Sequence, residues 1–298
     1  MGVQTPKVDP LMNTDRFRIR PGKRLSLVKH DPDDSKPFRD RSETESTLQK
    51  EREEICKLQD RLYADNHWSL LLIFQAPDGA GKDSTIEHVL SGLNPQGASA
   101  KSFKQPSSEE LSHDFLWRCY KALPERGRIG IFNRSHYEEV LIVKVQPELL
   151  DYQRIPRSLI TKKIWDERYE DINAMERHLV RSGTVIRKFY LNVSKGEQKK
   201  RFLERIDDPA KNWKFEMGDL DKRKQWKQYR KAYEEMIGAT STEFAPWYVI
   251  PADKKWFTRL AVATIIRETL QEMNLRFPEL SPKQRAELQK AKQVLLNE

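Results

Sequence analysis

The chain has 298 residues, 37% of them hydrophobic, with 54 Lys and Arg against 45 Asp and Glu and a net charge of +9. That length allows one large domain or two small ones. No apolar run approaches the ~18–20 residues a membrane helix needs, the longest being Trp68–Phe74. The polar N-terminus lacks the apolar segment of a signal peptide. Two cysteines, Cys56 and Cys119, make neither a disulfide framework nor a metal cluster, so a reducing cytoplasm is the expected setting.

The excess positive charge points to an anionic partner such as nucleic acid, a nucleotide or another polyanion. It is concentrated. Residues 195–231 hold 13 basic and 7 acidic residues, a net +6. A second basic run, Arg16, Arg18, Arg20, Lys23, Arg24 and Lys29, lies near the N-terminus. A solvated helix face is the ordinary explanation of any such run.

Residues 1–45 are rich in Pro, Asp, Lys and Arg and lack hydrophobic periodicity; they are read as an extended arm over the core, loosest in its first dozen residues. Residues 46–280 are read as one domain. Helices are expected at 47–65, 82–90, 107–123, 135–144, 157–181, 196–205, 222–237, 255–275 and 281–298. Ser107 with Glu110 three residues on is a capping-box pattern. Buried strands are expected at 69–75, 128–132, 184–191 and 247–250. Strands alternate with helices and never form tight hairpins. That order predicts an α/β fold with helices on both faces of a parallel sheet. The polar stretch 207–221, with Pro209 and Gly218, is read as irregular.

The sharpest feature is the strand Ser69–Gln75 running through Ala76-Pro77-Asp78-Gly79-Ala80-Gly81 into a helix that opens Lys82-Asp83-Ser84-Thr85. Such a turn gathers backbone N–H groups at the positive end of a helix dipole. Small residues let phosphate oxygens approach the main chain, and Lys82 adds a full charge. The pattern departs from G-x-x-x-x-G-K-[ST] at both ends. Ala76 replaces the first Gly, and Asp83 replaces the magnesium-binding hydroxyl. Asp78 offers an oxygen ligand instead.

The second strand ends in Gly130-Ile-Phe-Asn133-Arg134-Ser-His136-Tyr-Glu138. P-loop enzymes place a metal-facing acid at this point. Asn133 is a neutral, weaker ligand, and Arg134 has the bidentate reach for a phosphate. His136 is read as a packed or capping residue, since phosphoryl transfer needs little proton chemistry.

These residues resemble polyphosphate kinase family 2. The resemblance runs through Asp78–Asp83, Gly92–Gly97, Phe103–Ser107, Leu116–Arg118, Phe132–Glu138, Lys188–Leu191 and Arg201–Arg205. It continues through Asp208-Pro209, Lys211–Lys214, Pro246-Trp247 and Ala252–Lys254, so it covers about residues 48–275. The arm, with Phe17–Lys23 and Asp31–Asp34, shares it. The resemblance implies a P-loop kinase-like three-layer α/β/α fold with a helical lid at about residues 205–225. It implies magnesium-dependent phosphoryl transfer between inorganic polyphosphate and adenine nucleotides, with manganese and guanine nucleotides as alternatives. It also implies a homo-oligomer, dimer or tetramer, and no nucleic-acid or membrane partner.

By the same resemblance, Asp78 and Asn133 bind the metal, Asp78 ranking first. Lys82 holds the transferred phosphate, and Arg134 and Arg205 stabilise developing charge. Gly79, Ala80, Gly81, Asp83, Ser84, Lys104, Arg118, Lys188, Arg201, Lys211 and Lys214 line the phosphate or nucleotide path. Asn133 with Glu138 is similar to the subgroup that accepts both nucleoside mono- and diphosphates. Glu138 is read either as a holder of a second metal or water beside AMP or as a first-turn helix acid. Two other readings remain: a nucleic-acid-binding P-loop NTPase, and a nucleoside monophosphate kinase using ATP. Trp213, Phe215, Trp226 and Tyr229 within the basic segment suit either base stacking or helix packing.

Overall fold

The structure, a computed structural model, describes residues 12–298, so expectations about residues 1–11 lie outside it. Five parallel strands form one sheet in the order β2-β3-β1-β4-β5. They are β1 Ser69–Gln75, β2 Ala98–Ser102, β3 Ile129–Asn133, β4 Thr184–Asn192 and β5 Trp247–Pro251. The principal helices are α1 Ser42–Asp65, α2 Lys82–Val89, α3 Ile164–Arg181, α4 Lys195–Asp207, α5 Met217–Lys224, α6 Trp226–Thr240, α7 Lys255–Glu272 and α8 Pro282–Leu296.

The side-chain alternation of β1 builds both halves of the core. Leu70, Leu72 and Phe74 pack with Ile55, Leu58 and Leu62 of α1, Val89 of α2 and the α7 residues from Phe257 to Leu270. Leu71 and Ile73 face the other way, onto Ile172, Met175 and Leu179 of α3 and Tyr233, Met236 and Ile237 of α6. The result is a three-layer α/β/α fold. Residues before α1 lie over this core: Phe17 and Leu27 are buried, Ile19 N–H donates to the Trp247 carbonyl at 2.9 Å, and Arg18 forms an antiparallel bridge with Tyr248. None of the described helices is long and apolar enough to cross a membrane.

Five local expectations change; the first is the stretch 207–221, expected to be irregular, whose last residues belong to α5, Met217–Lys224, so that the helix expected from 222 starts only at Trp226. Strand β2 was not anticipated, because an exposed edge strand of sequence ASAKS carries no hydrophobic signal. The helix expected at 107–123 reduces to two short turns, at Glu110–Ser112 and Trp117–Tyr120. The Ser107–Glu110 capping pair forms, at 2.8 and 3.2 Å, but Asp114 then caps a new turn through the Leu116 N–H at 2.9 Å and ends the first. Residues 135–144 form a 3-10 turn, His136–Val140, followed by one helical turn. The helix expected from Arg157 starts only at Ile164.

Candidate active site

Strand order reverses around β1: the chain passes from β1 to β2 and back to β3 on one side, then crosses to β4 on the other. In open α/β sheets ligands bind outside the carboxyl ends of the strands at such a switch point. The phosphate-cradle turn leaves the end of β1 there, and Asn133-Arg134 leaves the neighbouring end of β3. The two are tied together. The Asn133 amide donates to Asp83 Oδ1, Arg134 Nη2 donates to Asp78 Oδ1 at 2.7 Å, and the Arg134 N–H donates to the Phe74 carbonyl.

Helix α4 shapes the turn from behind. Gln198 donates to the Asp78 carbonyl at 2.7 Å, and Arg201 donates to the carbonyls of Gly79 (3.2 Å) and Ala80 (2.8 Å). A trans peptide points its C=O and N–H in opposite directions, so anchoring these carbonyls turns the N–H groups of Gly79 and Gly81 toward the cleft. Gly79 has φ +84°, and a Cβ there would lie 2.9 Å from the Phe202 ring. Only glycine combines that backbone with that approach. Lys82 folds back across the turn, its ammonium 2.6 Å from the Ala76 carbonyl. Burial, reinforced by Arg134, lowers its pKa to about 8.

Asp78 sits at the centre of charge. Its second oxygen accepts from Lys222 of α5 at 2.7 Å. Burial alone would raise its pKa, but Lys82, Arg134 and Lys222 together hold it well below the ordinary carboxylate range. Asp219, one turn before Lys222, is buried beside it; burial, followed by the charge of Asp78, pushes its pKa up. A cleft of about 610 Å³, including its open mouth, spreads from Asp78 and Arg134 across Glu138, Asp219 and Lys222 to α6. Helix α6 presents Trp226, Tyr229, Arg230 and Tyr233 along one face of that cleft. The Gln75 amide bridges Glu138 Oε1 at 2.8 Å and the Ser135 hydroxyl at 3.2 Å, donating to the first and accepting from the second.

The expected residues therefore divide. Asp78, Gly79, Ala80, Gly81, Lys82, Asp83, Asn133, Arg134 and Glu138 converge on one cleft edge. Ser84 opens α2 beside them and accepts from Arg259 at 2.8 Å. Lys104 is exposed just past β2, where Phe103 N–H donates to the Asn133 carbonyl. Arg205 lies in the last turn of α4, 5.7 Å above the Phe202 ring, and its charge is felt at Asp219. Lys211 and Lys214 are exposed on the segment between α4 and α5, and Lys211 pairs with Asp208.

Three assignments need correction. Lys188 makes no phosphate contact: its ammonium is wholly buried against Glu176 at 2.5 Å. The Arg201 guanidinium is consumed by main-chain carbonyls, including Ala252 at 2.7 Å, so it shapes the cradle without facing its ligand. Arg118 donates to the Lys104 carbonyl at 2.8 Å and pairs with Glu110, facing a separate cavity shared with Arg154 and Arg168. Sequence reasoning also missed Lys222, Asp219, Gln75 and the cleft face of α6. Only their place in the basic segment, or at a strand end, hinted at them.

The donor set fits magnesium. Among the described residues no group of three or more His, Cys, Asp or Glu is placed to hold a metal ion by itself. Mg²⁺ prefers one or two carboxylates plus waters and substrate phosphates, and Asp78, Asp83, Asp219 and the Asn133 amide are hard oxygen donors at the cradle.

Comparison with known proteins agrees with this architecture. The sequence profile of the family described as Polyphosphate kinase 2 (PPK2) matches residues 39–278. The chain is 48% identical over 287 residues to the ADP-polyphosphate phosphotransferase of Rhodopseudomonas palustris, covering 96% of this chain and 99% of that protein. It is 42% identical over 265 residues to the AMP/ADP-polyphosphate phosphotransferase of Meiothermus ruber, covering 89% and 95%. Among solved structures, polyphosphate kinase 2 from Arthrobacter aurescens superposes with a TM-score of 0.84 at 37% identity, covering 94% of this chain and 98% of that one. With a glycine-rich turn at the switch point of its parallel sheet, and matched along most of its length by these relatives, this chain belongs to the polyphosphate kinase 2 family.

Proposed function

We propose that this protein transfers phosphoryl groups from inorganic polyphosphate to AMP and ADP, reversibly and with magnesium. The observation that carries this reading is the convergence of Asp78, Lys82 and Arg134 with Lys222 of α5 on one cleft edge. Phosphoryl transfer asks little covalent chemistry of a protein; positioning and charge do most of the work. In the proposed reaction a phosphate oxygen of the acceptor forms the new P–O bond to the terminal phosphorus of polyphosphate. The bond to the shortened chain breaks, and its electron pair stays on that chain's oxygen.

The N–H groups of Gly79 and Gly81, the unpaired N–H groups opening α2 and the Lys82 ammonium would hold the donor phosphates. Arg134 would span the oxygens of the transferred group, and Arg205 and Lys222 would close from the lid. Asp78, with Asn133 as the lesser ligand, would hold Mg²⁺, which would supply neutralisation of the phosphate charge. Lys211 and Lys214 would guide the remaining chain, and Lys104 the nucleotide side. A polyphosphate offers charge without base edges, so a row of cations recognises it.

An NTPase would need a group to orient water beside Asn133, where Arg134, Ser135 and a fully buried His136 stand instead. The deciding assay incubates the protein with AMP or ADP, Mg²⁺ and polyphosphate and no added ATP, and follows ADP and ATP by chromatography. Nucleotide formation is expected. Its absence with polyphosphate, together with activity when ATP is the donor to AMP, would return the assignment to a monophosphate kinase.

A further inference from the structure

Lys188, Glu176, Tyr137 and Trp247 are fully buried, and His136 is all but so. The Lys188 ammonium donates to Glu176 Oε2 at 2.5 Å, to the Tyr137 hydroxyl at 2.9 Å and to the Thr240 carbonyl at 2.7 Å. The Tyr137 hydroxyl donates to Glu176 Oε1 at 2.7 Å. Trp247 Nε1 donates to Thr240 Oγ1 at 2.9 Å, and its ring packs edge-on to Tyr137 with centroids 4.9 Å apart. Four elements thus meet at one cation: β4, α3, the His136–Val140 turn and the C-terminal end of α6.

Two of those elements form walls of the cleft. The turn that holds Tyr137 carries Glu138 next to it and begins two residues after Arg134. Helix α6 ends at Thr240 and carries Trp226, Tyr229, Arg230 and Tyr233 into the cleft. We propose that Lys188 and Glu176 are positioning residues for phosphoryl transfer, fixing the Arg134–Glu138 turn against α6 so that the two walls face the acceptor at a set distance.

Stability alone does not account for the pair. A buried ion pair is often no more stabilising than apolar residues of similar volume, because desolvation offsets attraction. What a lysine adds is direction. Its three donors fix the angles between a carboxylate, a hydroxyl and the last carbonyl of a helix, whereas apolar packing is non-directional. That carbonyl belongs to the unpaired end of α6, where a cation is also favoured by the helix dipole. His136 marks how fully the charge is spent. Its Nε2 stays 3.9 Å from Glu176 Oε1, and neither ring nitrogen has a hydrogen-bond partner.

The inference rests on the activity proposed above, so the wild-type transfer assay is its control. The test replaces the pair with apolar residues in a Lys188→Met, Glu176→Leu double variant and reads thermal midpoint, kcat and KM. The expected result is a midpoint within a few degrees of wild type, kcat lowered at least tenfold with AMP or ADP, and KM for polyphosphate within about threefold, since the cradle is untouched. Lys188→Met alone leaves a buried carboxylate unpaired and is expected to lose much of its thermal stability. Adding Glu176→Leu should restore the midpoint but not kcat. Tyr137→Phe, which removes one hydroxyl and keeps the pair, covers the case in which the double variant fails to fold; kcat should drop several-fold with little change in midpoint. A folded double variant, or failing that Tyr137→Phe, with wild-type kcat would overturn the inference and leave the pair a core filler. An inactive wild type would instead count against the proposed reaction.

Discussion

Lys222 and Asp78, 144 residues apart, meet at 2.7 Å, so helix α5 places its cation on the carboxylate proposed to hold magnesium. The other carboxylate oxygen is held by Arg134, also at 2.7 Å. Asp78 thus has its charge balanced by the protein itself, and a Mg²⁺ held there as proposed would compete with an internal ammonium. Side-chain exposures of 31% for Lys222 and 17% for Asp78 leave this pair partly solvated, so its strength is of order 1 kcal/mol or less. Lys222→Met is therefore expected to lower the Mg²⁺ concentration for half-maximal rate by about two- to fivefold. A Mg²⁺ titration of initial rates, paired with direct calorimetric binding, checks this. An unchanged or raised requirement would show that the contact exerts no competition.

Asp78→Ala and Lys82→Ala should each nearly abolish transfer while leaving the fold intact. Each removes a preorganised charge aimed at the phosphoryl group or its metal, worth roughly 3–4 kcal/mol, or a few hundredfold in rate. Circular dichroism and thermal midpoints establish folding; rates within threefold of wild type would sink the assignment.

Lys82 also predicts a pH dependence. Its pKa is lowered to about 8 chiefly by burial. A bound polyanion favours the charged form and raises that value. Above pH 8 the free site has lost protons that the bound site keeps, so polyphosphate affinity must fall as pH rises. Calorimetry at pH 8.5 in two buffers of different ionisation enthalpy should show net uptake of a fraction of a proton, up to one. In Lys82→Met the uptake should vanish; uptake that survives this change would place the titrating group elsewhere.

Arg205 is positioned to act from the lid side. It lies in the last turn of α4, before the exposed segment that leads to α5, and its charge reaches Asp219 beside Asp78. Loss of a charge-stabilising Arg of this kind costs ~10³-fold or more in rate. Arg205→Ala is expected to lose kcat by that order with a stable fold. Unchanged turnover would make Arg205 a surface residue resting on Phe202.

What the sequence revealed follows from which signals are local. The β1 turn and the end of β3 were legible because strand, small residues and charge sit within a dozen positions of one another. The strand β2 was hidden because nothing in it is buried deeply enough to leave a pattern. Lys188 was misread as a phosphate ligand because a motif names a residue without its direction. Yet Ile186 and Tyr190, two positions either side, share its strand face, and both are core residues. That alternation was the available sign that Lys188 points inward. Lys222 and Asp219 left only their place in the basic segment as a sign, since a charged run on a helix looks the same whether it faces water or Asp78. The Glu176 partner lies 12 residues before Lys188 on another element, and only the folded sheet brings the two together.

Glu138 gives the sharpest test of acceptor choice. It stands in the cleft wall with Arg134, its Oε1 held by the Gln75 amide at 2.8 Å, so its carboxylate is oriented rather than free to swing. Burial, and then the negative charge of Glu138, push the nearby Tyr229 phenol up to about 12, which places that charge against the α6 wall. A bare carboxylate would repel the β-phosphate of ADP. Beside AMP, which lacks that phosphate, it could hold a water or a second cation where the longer acceptor needs none. AMP must also sit deeper for its α-phosphate to reach the donor, so positioning matters more for it. Glu138→Ala should therefore lose AMP phosphorylation at least tenfold more than ADP phosphorylation. Initial rates of ADP formation from AMP and of ATP formation from ADP, both with polyphosphate as donor, make the comparison. If both fall by the same factor, Glu138 merely braces the His136–Val140 turn, and acceptor choice must be set by the α6 face instead.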